Sequence, residues 1–224
     1  MTVRKLIYSA AVLCALLVAR PASAHFLWGE VTQDAHPIAK LSLADGPGGI
    51  SEADFVNRIQ TARAWDGNGQ EVTLTTSSGV RSGQLKNNTV FAAAQFYGVL
   101  DKTKEGRGVF RCMYYAKSAL TIDGANQNLN LPFELFARRD GADHIIVTAR
   151  RGVAPYPNAE LHLYEPNQEK WSVHITDAKG EIRFASKAGL YGIKAAWIDQ
   201  TPGEIEGKKY PFTRNYSTLA FWVK

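Results

Sequence analysis

The sequence is poor in cysteine. Only Cys14 and Cys112 occur among its 224 residues, and Cys14 lies in an N-terminal apolar stretch that we expect to be removed. The mature chain then keeps one thiol and cannot form an internal disulfide, even in an oxidising compartment. Its stability must come from a hydrophobic core, for which about 200 residues are sufficient.

Long apolar runs are also scarce. The longest, residues 6–19, is shorter than the roughly 20 residues that a membrane-spanning helix needs, and no later segment resembles one. A basic start at residues 1–5 precedes it, and the small residues Ala22 and Ala24 follow. This order predicts that residues 1–24 are a cleaved signal peptide. We therefore expect a periplasmic or extracellular protein without a membrane span, whose mature chain begins at His25.

The chain has little excess charge. It contains 26 basic and 21 acidic residues, and removal of residues 1–24 takes away three of the basic ones. The resulting net charge of about +2 disfavours a nucleic-acid partner. The sequence also has no phosphate-binding loop, dinucleotide fingerprint, nucleophile motif or zinc-protease motif. We therefore predict no catalytic residue and consider a familiar hydrolase or nucleotide enzyme disfavoured.

What the sequence does contain is period-two alternation of β-branched and aromatic residues, broken by glycine, asparagine and aspartate turns. This pattern predicts an all-β protein. One helical turn is expected at residues 51–57. The polar, asparagine-rich segment 123–132 is interpreted as a solvated linker. It divides the mature chain into two β-sandwich domains, residues 25–128 and residues 129–224.

The second half carries a more specific pattern, WSVHITDAKGEIRFASKAGLYGIKAAW at residues 171–197. Its T-D-x-x-G-x-x-x-F motif followed by G-x-Y-x-I resembles the carboxypeptidase-regulatory modules. The resemblance covers roughly residues 133–223. It implies an Ig-like or transthyretin-like sandwich for the second domain, of a type that usually has a structural or binding role.

Three further segments resemble a family of exported proteins with a domain of unknown function, often described as periplasmic components of nickel or cobalt uptake. They are the mature start HFLW at residues 25–28, the YYAKSAL stretch at 114–120 and the ending at 203–223. The resemblance implies a metal ion as ligand and a membrane metal transporter as partner.

A histidine at the mature N-terminus can itself bind metal. The α-amine and the Nδ1 of His25 could chelate a divalent ion, and a second imidazole would complete a histidine brace. Such nitrogen-rich sites suit copper, nickel or cobalt rather than magnesium or calcium. The alternative is that cleavage merely leaves a histidine at a frayed end.

The other candidate metal ligands are His144, His162 and His174. If Leu161 pairs with Ile175, then His162 lies directly opposite His174, with Cβ atoms about 5 Å apart. The alternative is a polar pair on a solvated face. His144 is a partner for His25 only if the two halves of the chain pack closely. His36 is excluded, because a hairpin joining the first two strands would hold it about 20 Å from His25.

These observations predict an exported protein that captures nickel, cobalt or copper and passes it to a transporter. One alternative is a carbohydrate-binding or structural surface module, for which the chain offers five aromatic residues: Trp171, Trp197, Tyr210, Tyr216 and Trp222. Another is a copper-dependent oxidative enzyme with a histidine brace. Cys112 is interpreted as a buried structural thiol, and Glu204 and Glu206 as an exposed hairpin tip.

Overall fold

A computed structural model describes residues 25–86, 88–168 and 170–224. The predicted signal peptide lies outside the described residues. In the described part, the chain is mostly strand, which confirms the all-β prediction. No helix in this part is long and apolar enough to cross a membrane.

The strands are numbered in chain order. They are β1 (Phe26–Val31), β2 (Ile38–Ala44), β3 (Arg63–Asp66), β4 (Thr75–Ser77), β5 (Val80–Gln84), β6 (Val90–Lys102), β7 (Gly108–Ala119), β8 (Phe133–Asp140), β9 (His144–Arg151), β10 (Ala154–Pro155), β11 (Glu160–Tyr164), β12 (Ser172–Ile175), β13 (Glu181–Ala185), β14 (Gly189–Asp199), β15 (Gly203–Ile205), β16 (Lys208–Tyr210) and β17 (Thr213–Val223). Two short helices, α1 (Ala53–Arg58) and α2 (Ile122–Ala125), and a 3-10 turn (Thr103–Glu105) complete the described elements.

Three sheets contain most of these strands. The first sheet has the order β1-β2-β5-β4, and the central sheet has the order β12-β11-β14-β17-β7-β6-β3. In the third sheet, β9 pairs with β8, β10 and β13. The remaining pair, β15 and β16, forms a separate hairpin. Its tip carries the exposed Glu204 and Glu206, as the sequence predicts.

The central sheet is buried on both faces. Along β6, Val90 and Ala92 pack into a core shared with the third sheet, whereas Phe91 and Ala93 pack into a core shared with the first sheet. Successive residues of a strand point to opposite faces, so a doubly covered strand is apolar throughout. This explains the uninterrupted run VFAAA at residues 90–94. The first and third sheets therefore lie on opposite sides of the central one.

The two halves of the chain meet in the central sheet. Strand β7 pairs in parallel with β17, from Arg111 opposite Thr213 to Ala119 opposite Phe221. The predicted domain boundary between residues 128 and 129 thus lies between segments that are joined by main-chain hydrogen bonds. They also share the core on the third-sheet side, where Tyr115 packs with Leu219.

The segment 123–132 is not the solvated linker that its composition predicts. Ala125 and Leu131 are buried. The backbone N–H groups of Leu129 and Leu131 donate to the carboxylate of Glu134, at 3.0 and 3.2 Å. The asparagines of this segment made it look solvated, although its alternate apolar residues point into the core.

Glu134 also forms a buried ion pair. Its Oε1 lies 2.8 Å from the Nζ of Lys117 on β7, and both side chains are at most 1% exposed. Lys117 donates a second hydrogen bond to the carbonyl of Gln127 at 2.7 Å and lies 4.0 Å from the centre of the Phe136 ring. Burial lowers the pKa of Lys117 to about 8, although the carboxylate of Glu134 acts in the opposite direction.

Removing one partner of this pair should be strongly destabilising, because it leaves the other charge buried without compensation. We expect Lys117→Met to lower the free energy of unfolding by about 3–5 kcal/mol. The same substitution at Lys187, whose ion pair with Glu165 is half exposed, should lower it by less than about 1 kcal/mol. Urea denaturation measures both changes. Equal losses in the two variants would contradict a structural role for the buried pair, and Glu134→Gln provides a second test should Lys117→Met not fold.

Candidate functional site

His25 directly precedes β1 and is held at three points. Its ring packs against Phe55 of α1, with centroids 4.4 Å apart. Its Nε2 lies 3.8 Å from Oδ1 of Asp45, and its backbone carbonyl accepts a hydrogen bond from the Tyr114 hydroxyl at 3.4 Å. Strands β1 and β2 are antiparallel and Phe26 pairs with Ala44, so the residue before Phe26, His25, lies beside the residue after Ala44, Asp45. In the described structure, the end of β1 is therefore anchored.

The hairpin that the sequence predicts between the first two strands begins directly at His36, with Val31 opposite it. In the structure Val31 pairs with Ala39, and His36 lies in the connecting turn. The turn is longer than predicted. His36 remains at the opposite end of the hairpin from His25, so its exclusion as a ligand is unchanged.

Two cavities meet at His25. The acidic cleft, about 480 Å³ in volume, contains the carboxylates of Asp45 and Glu52 and the rings of Tyr164 and Trp171. The aromatic cavity, about 240 Å³, is lined by aromatic rings, by Cys112 and by three basic side chains: Phe26, Phe55, Phe110, Tyr97, Tyr114, Tyr216, Arg58, Lys102 and Arg107. His25 lines both.

Three tyrosines from three adjacent strands form the wall of the aromatic cavity. Tyr114 on β7 lies opposite Tyr216 on β17 in the parallel register, and their rings stack at 5.2 Å. Tyr97 on β6 meets Tyr114 edge to face at 5.4 Å. A β-bulge between Phe96 and Gly98 leaves Tyr97 as the extra residue. Bulges of this kind commonly redirect a side chain next to a functional site.

Arginine side chains hold two of these phenols. Arg58 donates to the Tyr97 hydroxyl at 3.0 Å, and Arg107 donates to the Tyr216 hydroxyl at 2.8 Å. The third basic residue, Lys102, pairs with Glu105 at 2.5 Å. Among the described residues, neither arginine forms an ion pair with a carboxylate. The cavity therefore has positive charge that is only partly compensated.

Cys112 lies at the floor of the aromatic cavity and is 1% exposed, which confirms the prediction of a buried thiol. Burial raises its pKa to about 12, and burial also raises the pKa of Tyr114. Both groups are consequently neutral at pH 7. A neutral thiol is a poor nucleophile and a poor metal ligand, so the cavity is suited to binding rather than to cysteine chemistry.

The structure corrects the predicted pairing of His162 with His174. In the actual register, His162 lies opposite Val173, and His174 lies opposite Leu161. This shift of one residue places the two imidazoles on opposite faces of the sheet. His162 contacts Glu160 at 2.8 Å, and His174 contacts the Ser172 hydroxyl at 3.0 Å.

His144 is also separated from His25. It begins β9 in the third sheet and pairs there with Asp140 and Ala185. His25 belongs to the first-sheet side of the central sheet, as do Phe26 and Phe55. His144, His162 and His174 line neither of the two cavities beside His25. Within the described residues, no group of three or more histidine, cysteine, aspartate or glutamate side chains is arranged to hold a metal ion.

The five aromatic residues considered for a sugar surface do not form one row. Trp197 packs against Phe133, Trp171 packs against Trp28, and Tyr216 packs against Phe26. Trp171 lines the acidic cleft and Tyr216 lines the aromatic cavity, so both contribute to a cavity beside His25.

Sequence reasoning missed Asp45, Arg58, Tyr97 and Arg107 as members of the site. One local signal was present, because an isolated glycine inside a strand pattern, here Gly98, is typical of a bulge. The arginines carry no such signal, since their proximity to the tyrosines depends on tertiary packing. A comparison with protein-family models finds no match for this chain, and a comparison with curated proteins finds none either.

The buried thiol should make the protein lose stability at alkaline pH. The folded-state pKa of Cys112 lies above its ordinary value of 9.0. The contribution of the protonated thiol to the free energy of unfolding is therefore complete below about pH 9, and it is lost as the pH rises towards about 12. We expect the free energy of unfolding of the wild type to fall with pH more steeply than that of Cys112→Ala, by up to about 1.4 kcal/mol per pH unit. Urea denaturation in reductant at about pH 8 and about pH 10.5 measures the difference. Parallel losses would show that the thiol ionises normally in the fold.

Proposed function

We propose that the protein is exported, is cleaved after Ala24, and binds a divalent nickel, cobalt or copper ion through His25. In this proposal the metal is cargo that is captured outside the cytoplasm and passed to a membrane transporter. The resemblance of the mature start to the nickel and cobalt uptake family supports this proposal, and so does the position of His25 at the acidic cleft.

The position of Asp45 is the observation that carries the proposal. Its Oδ1 lies 3.8 Å from Nε2 of His25, which is longer than a hydrogen bond, and its negative charge on that side favours the tautomer with the proton on Nε2. The lone pair of the imidazole is then on Nδ1, which is the nitrogen that can chelate together with the α-amine of the same residue. Carboxylates commonly orient metal-binding histidines in this way.

Further ligands would come from the acidic cleft. Glu52 lines it together with Asp45, and oxygen ligands or water can complete the coordination of nickel or cobalt. A histidine brace, which the oxidative-enzyme alternative needs, has less support. Neither cavity beside His25 is lined by His144, His162 or His174, so no second imidazole lines them in the described structure.

A carbohydrate-binding role is the second candidate for the same cleft. The rings of Tyr164 and Trp171 lie 5.6 Å apart and share the cleft with two carboxylates. Aromatic faces combined with hydrogen-bond acceptors can also bind a sugar. Sugar binding that persists in the presence of a chelator would favour this alternative.

The proposal predicts both where the mature chain begins and that it binds a metal ion. We expect the exported protein, purified without a tag, to have an intact mass that begins at His25 and to bind one nickel or copper ion per chain in calorimetry. One alanine added in front of His25 moves the amine out of the chelate. It should weaken binding by roughly 100-fold or more, equivalent to about 2.7 kcal/mol.

Two variants complete this test. Asp45→Asn should weaken binding by about tenfold, as is usual for groups that orient a ligand, whereas His36→Ala should leave it unchanged. Unaltered affinity in the extended protein, or a protein that begins at His25 but takes up neither metal, would contradict the proposal.

A further inference from the structure

We infer that the aromatic cavity is a binding site for a small planar organic anion, namely a carboxylate carried on an aromatic or similarly flat apolar body. This inference is independent of the proposed metal function. It depends on three features of the cavity, which are its aromatic walls, its excess of positive charge and the order in which the two are arranged from floor to surface.

The walls favour a flat ligand. Tyr114 and Tyr216 stack with an angle of 23° between their planes, whereas Tyr97 and Phe26 present their rings nearly perpendicular to this stack, at 82° and 83°. Aromatic rings pack well both in offset stacks and edge to face. A flat apolar ligand can therefore use both kinds of surface, which a small inorganic ion could not.

The charge favours an anion. Among the residues that the structure describes, Arg58, Lys102 and Arg107 line the cavity and no aspartate or glutamate does. Lys102 is partly neutralised by Glu105. Arg58 and Arg107 each donate one described hydrogen bond, in both cases to a tyrosine hydroxyl. A guanidinium group has five N–H donors in a planar fork, so each arginine retains donors that match a carboxylate.

The arrangement from floor to surface is amphipathic. Phe110 and Cys112 are each 1% exposed and form the floor, whereas Arg58 is exposed and Lys102 is half buried. A ligand would accordingly place its ring inside and its carboxylate outwards, next to the arginines. The thiol at the floor is neutral and apolar in character, so it does not repel such a ring.

The volume sets an upper limit on the ligand. At about 240 Å³, the cavity equals roughly eight water molecules at liquid density. This is below the usual range of about 300–1,000 Å³ for drug-sized ligands. A single ring with one acidic group fits this limit, whereas a nucleotide or an oligosaccharide exceeds it.

The β-bulge is an independent sign that this cavity is a built feature. In a regular strand every residue of β6 would pair with a residue of β7, whereas the bulge leaves Tyr97 without a partner in the register of β6 and β7. The hydroxyl of the displaced tyrosine is then held by Arg58. The same distortion therefore provides an aromatic wall and fixes a guanidinium at the surface of the cavity.

Benzoate tests the inference directly. We expect metal-free protein in excess chelator to bind benzoate in calorimetry and in saturation-transfer NMR. Benzamide has the same shape without the charge, and acetate has the charge without the ring. Each should bind about tenfold more weakly or worse, because each lacks one half of the recognition.

A matched pair of variants locates the site. Arg107→Gln should weaken benzoate binding by about tenfold or more, a loss of about 1.4 kcal/mol. Arg183→Gln, at an exposed arginine paired with Asp140 on the third sheet, should have no effect. Equal affinity for benzamide or acetate, unchanged affinity in Arg107→Gln, or no benzoate binding up to about 10 mM would overturn the inference. Since the chelator removes metal, benzoate binding is measured separately from the proposed metal binding at His25.

Discussion

The parallel pairing of β7 with β17 is the constraint on which the rest of the structure depends. It joins strands that are about 100 residues apart in the sequence, and it determines both faces of the central sheet at once. On one face it places Tyr114 opposite Tyr216 and so forms the aromatic wall. On the other face it brings Tyr115 and Leu219 into the core shared with the third sheet. A shift of one residue would exchange these two faces.

The buried ion pair reinforces this register. Lys117 lies on β7 between Tyr115 and Ala119, which both face the third-sheet core. In that position it reaches Glu134, whose carboxylate also binds the backbone N–H groups of Leu129 and Leu131. A slip of β7 by one residue would turn the ammonium group away from Glu134 and towards the opposite face, whose core cluster is apolar. A buried charge has few acceptable positions, so the pair disfavours alternative registers.

The sequence was sufficient for the class of fold, because alternation and turn residues are local signals. It was not sufficient for strand register. The predicted pairing of Leu161 with Ile175 would place Ile175 and Val173 on the buried face, yet they are 59% and 56% exposed, because in the actual register that face of the edge strand β12 carries His174. The candidate site was predicted only through His25. Its other members, Asp45, Arg58, Arg107 and Tyr97, lie on turns and strands that come together only when the sheets pack. No periodic pattern in the sequence predicts this proximity.

His25 lies between surroundings of opposite charge, and this has a physical consequence for two ligands. The acidic cleft carries Asp45 and Glu52, and the aromatic cavity carries Arg58, Lys102 and Arg107. A cation bound in the cleft and an anion bound in the cavity would attract each other across the His25 ring. Binding couplings are reciprocal and typically amount to about 1–3 kcal/mol. Each ligand would then raise the affinity for the other by the same factor, and loss of the anion would weaken the hold on the metal. A protein that captures and later releases an ion could use such a coupling. Conversion of the bound anion to its neutral form would then alter the metal affinity without any rearrangement of the sheets.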